Sequence, residues 1–182
     1  STKLMKKGTT LIALVGATIG KRAFLGCADL SDIEISGTVT SIGRDAFTDT
    51  KWIETAADKD GLIIVNNILI KSTSNKADIT VPDTVTSIGS NAFDGSASLK
   101  DVVIPDNLTS IEYAAFAGCE SLTSVDIPSS VTSIDSFAFY GAGLKSVVIP
   151  KTVKTIGDHA FGYKLNTEGT GHTKIEGFTI YG

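Results

Sequence analysis

The stretch "LTSVDIPSSVTSIDSFAFYGA", residues 122–142, carries two phrases that recur along the chain. The first, Leu122-x-x-Val125-x-Ile127-Pro128, returns as Leu99/Val102/Ile104/Pro105 and Leu144/Val147/Ile149/Pro150. The second, Ser-Ile-x-x-x-Ala-Phe, is written "SIGRDAF", "SIGSNAF", "SIEYAAF", "SIDSFAF" and "TIGDHAF". It places Ile42, Ile88, Ile111, Ile134 and Ile156 at steps of 46, 23, 23 and 22. Phe47, Phe93, Phe116, Phe139 and Phe161 each follow five residues later. A fixed period of about 23 residues marks a repeat architecture, in which each unit is one turn of a stack.

The same phase decides the reading of "KKGTTLIALVGATIGKRAFLGC", Lys6 to Cys27. Two lysines, an apolar run and a closing Gly-Cys have the form of an exported lipoprotein's leader. Counting back 23 residues from Ile42 and Phe47, however, lands on Ile19 and Phe24 inside that run. Ile12 falls in the column of Ile35, Val81 and Ile104, and Cys27 in that of Cys119. The stretch therefore reads as a repeat unit and not as a signal peptide.

Within Val-x-Ile-Pro, alternate residues point inward, as in a short half-buried strand. Proline donates no N–H and suits the strand's end. The Ala-Phe phrase, usually followed by Gly, predicts a short helical or 3₁₀ turn on the opposite side of each coil, with the Phe column filling the interior. A single unit of this size buries too little apolar surface to offset its chain entropy. The units must stack, and the expectation is an α/β repeat solenoid with one short parallel strand per coil.

The pattern Leu-x-x-Val-x-Ile-Pro-x-x-Val-Thr-Ser-Ile-Gly-x-x-Ala-Phe-x-Gly-Cys resembles the BspA-like leucine-rich repeats of bacterial cell-surface and secreted proteins. It departs from the commoner leucine-rich repeat, because proline stands near the place of the usual asparagine. The resemblance implies a right-handed, curved, leucine-rich-repeat-like coil, an extracellular or cell-surface location, and adhesion to host proteins or other microbes.

Two regions break the period. Between Phe47 and Val81, "LIIVNNILIK" offers two apolar strands around Asn66-Asn67, residues that tolerate positive φ. This predicts an irregular coil over 48–76, with a short helix near Trp52 and an inserted β-hairpin projecting from the solenoid. Further on, 162–174 reads as an inserted loop and 175–182 as a last strand. The expectation is a single solenoid over 1–182, a fragment of a longer protein.

Composition excludes several functions. The chain has 182 residues, 16 Lys and Arg against 20 Asp and Glu, and a formal charge of −4. No basic cluster is dense enough for a phosphate backbone, so no nucleic-acid partner is expected. Glycines and charges interrupt the longest apolar run, so no membrane insertion is expected. Cys27 and Cys119 lie four coils apart, roughly 19 Å at about 4.8 Å per coil, too far for a disulfide; both are expected to be free and buried. "GATIGKR" has the wrong spacing for a phosphate-binding loop, and Arg22 stands where a hydroxyl would be needed. "GTGHTK", with His172, lacks a strand-loop-helix setting, and His159 sits at a variable, outward position. The two histidines have no partners at metal-binding or triad spacing. The sequon at Asn107 places Leu108 inward. No catalytic residue, metal or cofactor is expected, and the chain reads as a non-enzyme.

What remains is the outward face of the strand array. One column holds Asp32, Asp78, Asp101, Ser124 and Ser146; the next holds Leu11, Glu34, Thr80, Val103, Asp126 and Val148. Stacked acids repel one another, and exposed valines suggest contact. This face is the candidate site for a protein or polysaccharide ligand on host or microbial surfaces. The competing expectation is a structural spacer that presents a neighbouring enzyme or anchoring module.

Overall fold

The computed structural model describes residues 10–11, 16–162 and 177–180. In chain order the elements are β1 (Thr10–Leu11), β2 (Thr18–Ile19), β3 (Glu34–Ile35), β4 (Ser41–Ile42), α1 (Lys51–Thr55), β5 (Leu62–Val65), β6 (Ile68–Ser72) and β7 (Asp78–Thr80). They continue with β8 (Ser87–Ile88), β9 (Asp101–Val103), β10 (Ser110–Ile111), β11 (Ser133–Ile134), β12 (Ser146–Ile149), β13 (Thr155–Ile156) and β14 (Gly177–Ile180). Together they form a β-solenoid of about six turns with very little helix.

Each regular coil contributes two strands where one was expected. The Val-x-Ile phrase forms the first track: β1 pairs with β3, β7 with β9 and β12 with β14, all parallel, and a bridge links Asp126 to Val148. The Ser-Ile phrase forms the second. There β2 pairs with β4, while β8, β10, β11 and β13 pair in parallel, Ile88 against Ile111 against Ile134 against Ile156. The isoleucine that ends each of these strands is completely or nearly buried at Ile42, Ile88, Ile111 and Ile134. A two-residue strand leaves too little period for pattern reading to detect, which is why the sequence shows only the first track.

The Ala-Phe segments are turns, not the predicted helical or 3₁₀ elements. Their geometry is set by left-handed residues on either side of the phenylalanine. Arg22, Asp45, Asn91, Ala114, Phe137 and His159, two residues before it, all have φ between 51° and 61°. Two residues after it, Gly26, Asp49, Gly95, Gly118 and Gly141 have φ between 58° and 72°. The alternation aims every second N–H at the next coil. Asn91, Phe93 and Gly95 donate to the carbonyls of Tyr113, Ala115 and Ala117, at 2.9, 2.7 and 2.8 Å. Ala114, Phe116 and Gly118 repeat this onto Ser136, Ala138 and Tyr140. A helix would turn those donors back on its own carbonyls and leave the coils unlinked.

Gly95 isolates the backbone requirement. A Cβ built there would meet nothing within 4 Å, yet φ is +72°. Gly95→Ala is therefore expected to lose about 1 kcal/mol from left-handed strain alone. In a thermal melt this reads as a drop of roughly 2–4 °C.

Inside, the phenylalanines stack coil on coil. Ring centroids lie 4.9 Å apart for Phe93–Phe116, 5.1 Å for Phe116–Phe139 and 5.2 Å for Phe139–Phe161, with planes within 6° of parallel. Phe24 stacks on Phe47 at 5.4 Å, so the leader-like stretch is a coil of the solenoid in its described residues, 16–27. Phe47 and Phe93 do not stack, and the buried side chains accordingly fall into two clusters. One runs from Leu30 to Phe47 with Ile68, the other from Leu62 to Ala160.

The joint between the clusters is the irregular unit. Thr50 caps α1, its hydroxyl accepting from the Ile53 N–H, and Trp52 packs edge-on against Phe47 at 4.8 Å. β5 and β6 pair antiparallel across Asn66 and Asn67, whose φ values of 48° and 66° suit a two-residue turn. Contrary to expectation the pair does not project. β6 runs parallel to β8, Ile68 against Ser87 and Leu69 against Ile88, and Leu69 is fully buried. Asn66 Nδ2 donates to the Ser36 and Val39 carbonyls at 2.7 and 3.0 Å, tying the turn to the preceding coil. At the base, Lys59 and Lys76 both donate to Asp60, the latter at 2.8 Å. The Lys59 hydrogen bond, then that of Lys76, holds the Asp60 carboxyl down at about 2. The predicted loop at 162–174 lies, beyond Gly162, outside the described residues; of the last strand, 177–180 is described and pairs with β12.

Candidate functional site

The strand-face columns are set by the first track. β7 and β9 align Asp78 with Asp101, Ile79 with Val102 and Thr80 with Val103. Because strand side chains alternate between faces, Ile79 and Val102 turn inward and are 5% and 4% exposed, while their neighbours turn out. Asp32, Glu34, Asp78, Thr80, Asp101, Val103, Ser124, Asp126, Ser146 and Val148 are all exposed. Val103 is 53% and Val148 48% exposed, so two apolar side chains stand in an outward column with Asp126. The column runs from Thr80 beside Val103 to Asp126 beside Val148, a polar and apolar alternation over successive coils. No salt bridge engages Asp78, Asp101 or Asp126 among the described residues. The described array is thus acidic, without ion pairs to these three carboxylates, and carries apolar spots. The side chain of Leu11 is not described.

Among the described residues no three His, Cys, Asp or Glu side chains group as metal ligands. No helix is long and apolar enough to cross a membrane. His159 is exposed and stacks on Phe137 at 5.3 Å. Leu108, after the Asn107 sequon, is fully buried. Both cysteines are free, as expected, but only Cys119 is buried. Cys27 is half-buried, whereas Cys119 sits between coils. The Cys119 thiol donates to the Phe93 carbonyl at 3.2 Å, and burial pushes its pKa up to about 12. With thiolate as the reactive form, a maleimide at pH 8 is expected to label Cys27 and spare Cys119 in the folded chain. Mass spectrometry of the labelled peptides reads the ratio; equal labelling would contradict the packing.

The sequence reading missed a second feature. A cavity of about 370 Å³ opens on the turn side between the coil of Asp45–Asp49 and that of Ser90–Asp94, where the irregular unit has no Ala-Phe turn. Its walls include Phe47, Ile53, Ile70 and Lys71, with Asp45, Asp49, Glu54 and Asp94 around them. Asn91 Nδ2 reaches across to Asp45 Oδ1 at 2.9 Å, and Arg22 and Arg44 lie 3.7 Å from the same carboxylate. The guanidinium of Arg44 also sits 4.3 Å over the Tyr113 ring. The step of 46 between Phe47 and Phe93, twice the period, is the signal in the sequence that marks this break.

The solenoid has relatives among solved structures. A leucine-rich cell surface protein of Faecalibacterium prausnitzii is 26% identical over 91% of this chain, with a TM-score of 0.54. The pneumococcal vaccine antigen PcpA is 28% identical over 79% of the chain, with a TM-score of 0.58. The chain spans about half of the first protein (51%) and 39% of the second. No curated protein matches the sequence. The BspA type leucine-rich repeat region matches in six copies over residues 15–119 and 60–168. Two coil-to-coil strand tracks in a 23-residue phase carry those copies in register, and the chain belongs to the BspA-type leucine-rich repeat family.

Proposed function

We propose that this chain is a non-catalytic binding module of a bacterial surface or secreted protein, adhering to a protein or polysaccharide through its strand face. The observation that carries the reading is the outward column with Val103 and Val148 half exposed beside unneutralised Asp78, Asp101 and Asp126. Repeat arrays bind through extended faces of this kind, by many modest contacts on a rigid support. The acids favour a basic partner, and the valines supply the apolar contacts that anchor it. The relatives described as a cell surface protein and a vaccine antigen support a surface location.

The test compares the chain with an Asp78→Lys, Asp101→Lys, Val103→Asp, Asp126→Lys variant on an array of matrix proteins, cell-wall polysaccharides and whole bacteria. All four side chains are exposed, so both proteins are expected to melt alike. Binding by the parent that the variant loses is the expected result. Equal binding by both, or none by either, would turn the reading to a spacer that presents a neighbouring domain.

A further inference from the structure

The cavity beside the irregular unit is a gap in a hydrogen-bonded ladder. In the regular coils the amides two residues before, at and two residues after the phenylalanine donate to the next coil. Arg22, Phe24 and Gly26 do so to Arg44, Ala46 and Thr48, at 2.9, 2.8 and 3.0 Å. The next three, on Asp45, Phe47 and Asp49, find no acceptor among the described residues. On the far side the Ala92 carbonyl is already taken by the Ser72 N–H of β6 at 2.7 Å, but those of Ser90 and Asp94 accept no backbone N–H among the described residues. Buried or semi-buried backbone groups are rarely left unpaired, and Phe47 is only 2% exposed. Donors therefore line one wall and acceptors the other, two coil steps apart, roughly 10 Å at the strand spacing. β6, with Ile70 and Lys71 on the lining, already supplies one pairing of the missing rung through Ser72, and the pairings on either side of it are open.

We propose that this gap binds a short extended peptide segment of a partner protein, which completes the ladder as an added rung. Main-chain pairing of this kind gives affinity, and side-chain pockets give specificity. The cavity's 370 Å³ admits a short stretch of chain and no folded element. Its apolar wall of Phe47, Ile53 and Ile70 takes the place where the missing coil would have put its phenylalanine, and calls for an apolar or aromatic anchor residue. Around it Asp49, Glu54 and Asp94 have no ion pair among the described residues, and Lys71 is the one cation on the lining. The partner segment is therefore basic beside its anchor. The Asn91–Asp45 link and the Arg44–Tyr113 contact hold the two walls at their spacing.

A phage-displayed library of random seven-residue peptides, selected on the whole chain, tests this. Enriched peptides are expected to place Arg or Lys next to Phe, Trp or Leu. Fluorescence polarisation with the best of them should show roughly tenfold weaker binding to a Glu54→Lys, Asp94→Lys variant. Both of those side chains are exposed, so the variant is expected to keep the parent's thermal melt. N-methylation of alternate peptide amides should abolish binding, and the strand-face variant above should bind as the parent does. Failure to enrich any sequence, equal affinity for the rim variant, or indifference to N-methylation would overturn the proposal. So would a concentration-dependent dimer of the chain that the rim variant abolishes, since a second copy would then be the occupant.

Discussion

Phe116→Ala is expected to cost about 3–5 kcal/mol of stability, the range for removing a large aromatic side chain from a core. Phe116 is fully buried and stacks on both neighbours, Phe93 at 4.9 Å and Phe139 at 5.1 Å. In a solenoid each coil contacts only the coils beside it. One substitution thus weakens two interfaces in mid-array. Against the roughly 5–15 kcal/mol of a whole domain, the loss should move the thermal midpoint by well over 6 °C. Phe137→Ala is the companion. That ring is half-buried on the outside of the turn, against Tyr113, Tyr140 and His159. It should cost markedly less, and equal losses for the two would contradict the inward placement of the phenylalanine column.

Gly143→Ala should be the next most damaging change, for a different reason. The residue before Leu144 lies so close to the preceding coil that a Cβ would fall on the Glu120 carbonyl oxygen. That carbonyl is main chain and cannot swing aside. The coil must move, and it would carry with it the hydrogen bond from the Gly143 N–H to the Cys119 carbonyl at 3.1 Å. Overpacking of this kind costs about 1–3 kcal/mol. Gly37→Ala supplies the contrast, since a Cβ there meets nothing within 4 Å and φ is not left-handed. It should change stability by less than about 0.5 kcal/mol. A Gly143→Ala variant as stable as the parent would show that adjacent coils do not pack at this spacing.

Much of this architecture was legible because it repeats. The 23-residue phase of Ile and Phe gave the solenoid, set the described residues 16–27 of the leader-like stretch within it and put all ten strand-face residues outward. The Val-x-Ile alternation was readable because three or four residues suffice to show a period of two. The second track was not, because Ser-Ile alone has no period. The turns were misread as helical because Ala and Phe are compatible with a helix. The left-handed positions before the phenylalanine are occupied by Arg, Asp, Asn, Ala, Phe and His, where only glycine would have announced them, and the glycines after it equally suit the end of a helix. The hairpin turn was legible in Asn66-Asn67, but the absorption of β6 into the sheet depends on pairing with β8, a long-range contact without a local signature. The cavity was invisible for a related reason. It is made by what the irregular unit lacks, and only the doubled step from Phe47 to Phe93 points to it.

The most direct measurement of the account is residue-resolved amide hydrogen exchange in the folded chain. Amides donated across coils should be protected together: Asn91, Ala114 and Phe137 before the phenylalanine, Gly95, Gly118 and Gly141 after it. Asp45 and Asp49, at the same two positions of their coil but facing the gap, should exchange far faster, as unpaired groups do. Equal protection of Asp45 and Asp49 with their counterparts would mean that the ladder is unbroken, and fast exchange at all eight positions would mean that the turns are not joined by hydrogen bonds at all.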